Sequence, residues 1–206
     1  MSIRFCDERG AHGFSWIADD PMTRTSHALA AAGQVWIVDP VRHPPALERA
    51  MTLGTPVAVL QLLGRHNRDC ATLAAELGIP HLVVPDALPR TPFEVVPVRT
   101  ARGWREIALW WPAEQTLVVA EAVGTNPFFT GGREPAGVHP LLRLAPPRDA
   151  LGRFEPEHLL FGHGEGLHGV EASTALGTAL LGARTGLIHL VPRIPAFAID
   201  AYRRRR

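Results

Sequence analysis

The chain has 206 residues, enough for one domain with a sizeable core. Its formal net charge is +1, charged residues make up 20% and lysine is absent, so no global field favours nucleic acid or an anionic membrane. No apolar run approaches the ~20 residues needed to cross a bilayer, and no basic-then-apolar leader opens the chain. Two cysteines, Cys6 and Cys70, do not make a disulfide framework. The expectation is a cytoplasmic protein with neither nucleic-acid nor membrane partners. The basic run Arg203 to Arg206 reads as a solvated tail.

In chain order, Ile3 to Cys6 and Phe14 to Ile17 read as β structure, and Ser26 to Ala32 is a short apolar stretch ending at Gly33. Gln34 to Val38 is a buried-type strand closed by Asp39-Pro40. A helix follows, with Pro45 in its first turn and Gly54 at its stop. Strand 57–63, helix 71–77 and strand His81 to Val84 complete a βαβαβ pattern, which implies parallel strands with right-handed crossovers. Strands Phe93 to Val98, Glu106 to Trp111 and Thr116 to Ala120 follow, the last two joined as a hairpin. At least one of Trp110 and Trp111 should be core, since they alternate faces. The Gly- and Pro-rich segment 124–150 reads as surface loops. A last strand, His158 to Phe161, enters Gly162-His163-Gly164, and a helix spans about 170–184. The remainder, 187–206, reads as an extended arm of a single domain, residues 1–206.

Chemistry concentrates where strand 57–63 runs into helix 71–77, at Gly64-Arg65-His66-Asn67-Arg68-Asp69-Cys70. Loops after strand ends are where α/β proteins keep their sites. The cluster mixes ligand-type residues with arginines. Asp69 also suits a helix N-cap, and Cys70 suits a buried thiol. His163 lies between two glycines, a pattern for a turn that aims a side chain into a cleft.

These parts, in this order, resemble the metallo-β-lactamase superfamily over roughly residues 14–186. The strand ending at Asp39, the 64–70 stretch, the hairpin 109–121 and Phe161-Gly162-His163-Gly164 carry the resemblance. It implies a four-layered αβ/βα sandwich, an α/β fold of metal-dependent hydrolases. Against the family's ligand pattern, Arg65, Asn67 and Arg99 stand where three histidines hold one metal. Guanidinium groups do not ligate cations, so that site is expected to be lost. The second site's positions fall on Asp69, Cys70, Glu121 and His163, all zinc-competent residue types.

Two readings follow. One divalent metal, zinc by ligand type, binds Asp69, Cys70, Glu121 and His163 and activates water for ester or thioester hydrolysis, with Asp69 and His163 as the catalytic pair. Alternatively, Arg65 and Arg99 replace the metals, pair with Asp69 and Glu121, and leave a non-catalytic pocket. In it Arg65, His66, Asn67 and Arg99 would bind a small-molecule substrate or anion, or serve a structural or interaction role. A Cys70 nucleophile with His163 and Glu121 is a third arrangement.

Overall fold

The structure, a computed structural model, describes residues 2–190. Two sheets form its centre. The first has six strands in sequence order: β1 (Ile3–Cys6), β2 (Gly13–Ala18), β3 (Thr25–Ala31), β4 (Gln34–Val38), β5 (Thr55–Gln61) and β6 (His81–Val83). Strands β1 to β4 form an antiparallel meander. Strands β4, β5 and β6 run parallel through α1 (Pro44–Leu53) and α2 (Cys70–Leu77), as the βαβαβ pattern requires.

The second sheet draws on β7 (Glu94–Ala101), β8 (Trp104–Trp111) and β9 (Thr116–Val119). Between the sheet's parts lie β10 (Val123–Gly124), α3 (Pro127–Thr130), β11 (Gly137–Val138) and α4 (Arg148–Leu151). β12 (His158–Phe161) and β13 (Leu167–His168) then complete the order β13-β12-β9-β8-β7, and α5 (Val170–Leu190) follows. β12 lies parallel to β9, while β8 and β9 form the expected antiparallel hairpin.

Period-2 alternation explains the layering. Along β4, Val35 and Ile37 turn outward to Ala46, Leu47 and Ala50 of α1 and Leu73 of α2. Trp36 and Val38 turn inward to Ile107 and Leu109 of β8 and to Leu117 of β9. The second sheet's far side packs on α5 through Ala172, Leu176 and Leu180. Trp111 is buried and Trp110 half-buried against Phe154. The result is the expected helix–sheet–sheet–helix sandwich.

Two expectations change. Segment 124–150 is not a set of surface loops: Phe129, Val138 and Leu142 are buried. Buried Arg143 ties the segment together through the carbonyls of Phe129, Val138 and Ala183. Residues 187–190 belong to α5 rather than to an arm, and the rest of that arm and the basic run lie outside the described residues.

The sheets are stitched together at one end. The Gly64 and Ile107 amides donate to the Arg105 and Leu62 carbonyls, and those of Thr25 and Gly164 donate to Gly162 and Thr23, each at 2.9 Å. This seam gathers the loops after β4, β5, β9 and β12.

Candidate functional site

His66, Glu121 and His163 follow β5, β9 and β12, and all three are buried. One ligand atom from each lies within 4.8 Å of the others, and among the described residues they form the group of three able to hold a metal ion. His66 Nε2 is 3.3 Å from His163 Nε2 and 3.3 Å from Glu121 Oε2.

Each member is fixed from behind. His66 Nδ1 bonds Asp39 Oδ2 at 3.0 Å, and His163 Nδ1 bonds the Met22 carbonyl at 2.9 Å. Both partners only accept, so both Nδ1 atoms carry the proton. The glycines beside His163 have steric work. A Cβ at Gly162 would lie 2.2 Å from the Ala120 carbonyl oxygen. Gly164 has φ +97°, and a Cβ there would lie 2.1 Å from Thr125 Oγ1. The loop can therefore press on the chain around Glu121.

Glu121 is pinned through its backbone. The buried Glu106 carboxylate accepts the amides of Glu121 and Ala122, each at 2.8 Å, and the Trp104 indole N–H at 2.7 Å. His139 takes the Leu141 amide on Nδ1, which leaves Nε2–H to face Glu121 Oε1 at 3.4 Å. Phe129 stacks on His163 with 5.5 Å between ring centroids, and Trp104 meets His139 edge-on, so the inner wall is aromatic.

Arg65 lies at the mouth. Its Nη2 and Nε approach the two Glu121 oxygens at 3.2 and 3.3 Å, and its Cζ stands 3.9 Å from the Trp104 ring centre. Burial opposes charge on Glu121, but hydrogen bonds from His139, His66 and Arg65 outweigh it and hold the carboxyl well below its usual range. Burial and the Arg68 charge oppose protonation of His66, yet Asp39 and Glu121 prevail and raise its pKa. Burial lowers His163 to about 3.

The other expected residues go elsewhere. Asp69 and Cys70 do not join Glu121 and His163. The Asp69 carboxylate accepts the Arg42 amide at 2.8 Å, although the residue stands at the N-cap of α2 without capping it. The Cys70 thiol is fully buried, leans on the His66 carbonyl at 3.5 Å, and is pushed up to about 12 by burial. The physical reason is Arg68. Its φ of +37° turns the chain, and its guanidinium binds the carbonyls of Thr25, Asp39 and Gly162 at 2.6 to 2.8 Å. Asn67 and Arg99 are exposed, Arg99 beside a bulge in β7. The arginine-for-metal arrangement thus has its Arg65–Glu121 contact, while Asp69 is bound to a backbone amide. His66, Asp39 and His139 stand in the site instead. Asp39 had a signal, as the acid closing a buried strand. His139, inside an apparent loop, had none.

No protein-family profile matches the sequence, and no curated protein does. Solved structures do match. The DIM-1 metallo-β-lactamase exposed to ceftazidime superposes with a TM-score of 0.57 at 14% identity, over 89% of this chain and 98% of its own. TMB-1 gives 0.58 at 10% identity, over 89% and 99%. VMB-1 gives 0.60 at 11% identity, over 88% and 97%. The chain has the metallo-β-lactamase fold. Within that fold, His66, Glu121 and His163 lie at the strand-end seam. No described helix is long and apolar enough to cross a membrane.

Proposed function

We propose that the chain is a divergent, hydrolase-type member of the metallo-β-lactamase fold that uses a single divalent metal, held by His66, Glu121 and His163. One observation carries this reading. With both Nδ1 protons committed, His66 Nε2 and His163 Nε2 face each other at 3.3 Å and His66 Nε2 also meets an ionised Glu121 oxygen, so the three atoms share a single proton, carried on His66 Nε2, at the point where a cation could stand instead. Such an arrangement repels itself unless a proton or a cation sits between the atoms. Tetrahedral zinc bonds of ~2.0–2.1 Å place neighbouring ligand atoms about 3.3 Å apart, and the two spacings made by His66 Nε2 match this, while all three ligand atoms lie within 4.8 Å.

Three protein ligands leave one position open, the pattern of catalytic rather than structural zinc. A metal there would supply Lewis-acid activation of water and of a substrate carbonyl. The chain's own groups do the rest. Asp39 and the Met22 carbonyl hold the imidazole tautomers, His139 and Glu106 orient Glu121, and Phe129 and Trp104 exclude water. The substrate class is a small ester or thioester, and the setting is the cytoplasm.

A second reading has its own support. The two-point Arg65–Glu121 contact is what a non-catalytic relative would use to neutralise the carboxylate. Metal analysis after purification without chelators, followed by zinc titration, separates the two. The expected result is about one equivalent of zinc, with affinity reduced at least 100-fold in His163→Ala or His66→Ala and unchanged in Asp69→Ala. A wild-type protein that takes up no zinc, manganese or iron establishes the non-catalytic reading.

A further inference from the structure

We propose that Arg65 selects the substrate: the site takes molecules bearing a carboxylate or phosphate beside the scissile bond, and Arg65 is released to bind that anion when a dication takes Glu121. This rests on the single-metal reading. Four donors share the Glu121 carboxylate. Arg65 Nη2 and His139 Nε2 approach Oε1 at 3.2 and 3.4 Å, and Arg65 Nε and His66 Nε2 approach Oε2 at 3.3 Å each. Charge-assisted N–H···O contacts normally settle near ~2.7–2.9 Å. All four are stretched around one centre, so the arginine's hold on Glu121 is loose.

The guanidinium does not need Glu121 to stay in place. It is stacked 3.9 Å from the Trp104 ring centre, and Nη1 donates to the Gly103 carbonyl at 3.3 Å. With its side chain 41% exposed, it presents an edge to solvent at the mouth of an otherwise buried site. A cation on Oε2 would compete directly with Arg65 Nε. It would also repel the guanidinium through a poorly screened gap. A dication, Arg65 and Arg68 together outweigh the charges of Asp39 and Glu121, and still do so if Glu106 is ionised. An anionic group between metal and Arg65 relieves that excess, and the planar fork matches a carboxylate or phosphate at two points.

Zinc titration comes first, then calorimetric titration with inorganic sulfate as the probe. Arg65→Ala is expected to bind zinc several-fold tighter than wild type, because a competitor for Glu121 is gone. Zinc-loaded wild type should bind sulfate at least tenfold tighter than zinc-loaded Arg65→Ala, and tenfold tighter than metal-free wild type. Arg65→Lys, which keeps the charge without the fork, should fall between and guards against a folding defect in the alanine variant. Equal sulfate affinity in wild type and Arg65→Ala at equal zinc loading overturns the proposal and leaves the metal reading intact. Failure of wild type to bind zinc overturns both, and is seen before sulfate is added.

Discussion

The segment 64–70 divides at Arg68 into two halves with opposite employment. Arg65 and His66 face the seam between the sheets and meet Glu121 and His163. Arg68, Asp69 and Cys70 turn beneath it, where their polar atoms serve backbone groups: three carbonyls for Arg68, the Arg42 amide for Asp69 and the His66 carbonyl for Cys70. Ligand-competent chemistry is present in both halves. What separates them is one left-handed backbone step, φ +37° at Arg68, which no periodicity argument can place.

The two arginines give the largest contrast. Arg68 is tied to three buried carbonyls from three separate strand ends. Its removal leaves those acceptors without partners and should cost about 3–5 kcal/mol, the range for breaking a buried charged network. Arg65 is partly exposed, its contacts are long, and solvent screens them, so Arg65→Ala should cost no more than ~1 kcal/mol. Urea denaturation of Arg68→Ala and Arg65→Ala reads both. Equal losses would erase the division of the segment into site and scaffold.

How much of this was legible follows the same divide. Strand β4 and the glycines around His163 were readable because alternation and close backbone approach are local properties of the sequence. The βαβαβ half and the β8–β9 hairpin were readable for the same reason. The ligand set was not. Counting along the motif selects Asp69 and Cys70, whereas the geometry gathers His66, one position from where the family pattern puts a ligand. Arg99 fell outside because a bulge in β7 shifts its register against Glu106, a displacement that alternation does not report. Segment 124–150 reads as loops because its Gly and Pro content hides the buried Phe129 and Leu142 and the internal ties of Arg143.

The scaffold side should also carry a measurable pH dependence. His27 on β3 is fully buried, bonds Ser15 Oγ at 2.7 Å and feels the Arg68 charge; burial lowers its pKa from 6.5 to about 4. The folded state then binds fewer protons than the unfolded state between these values. Stability therefore falls as pH drops from about 6.5 toward 4, by about 2 kcal/mol between pH 7 and pH 5 from His27 alone. The loss of stability between the two pH values, read from urea denaturation, should be about 2 kcal/mol smaller in His27→Gln than in wild type, the buried His163 keeping its own share in both. An unchanged pH slope in that variant would move the titration to another group.

Cys70 gives the smallest effect and the sharpest test of where the site ends. As a metal ligand it would have to be a thiolate, and its loss would abolish binding. As found, it is a buried thiol at the start of α2, raised to about 12, whose sulfur leans on a carbonyl. Cys70→Ala then removes one small buried group, worth about 1 kcal/mol of stability, and leaves zinc affinity within threefold. Cys6 is buried as well, and burial likewise raises it. Native protein at pH 8 should therefore react slowly with a thiol reagent at both positions and rapidly at both once unfolded. Zinc should alter neither rate beyond its effect on global unfolding. Fast labelling of Cys70 in the native protein, blocked by zinc, would return Cys70 to the ligand set and join the two halves of the segment into one site.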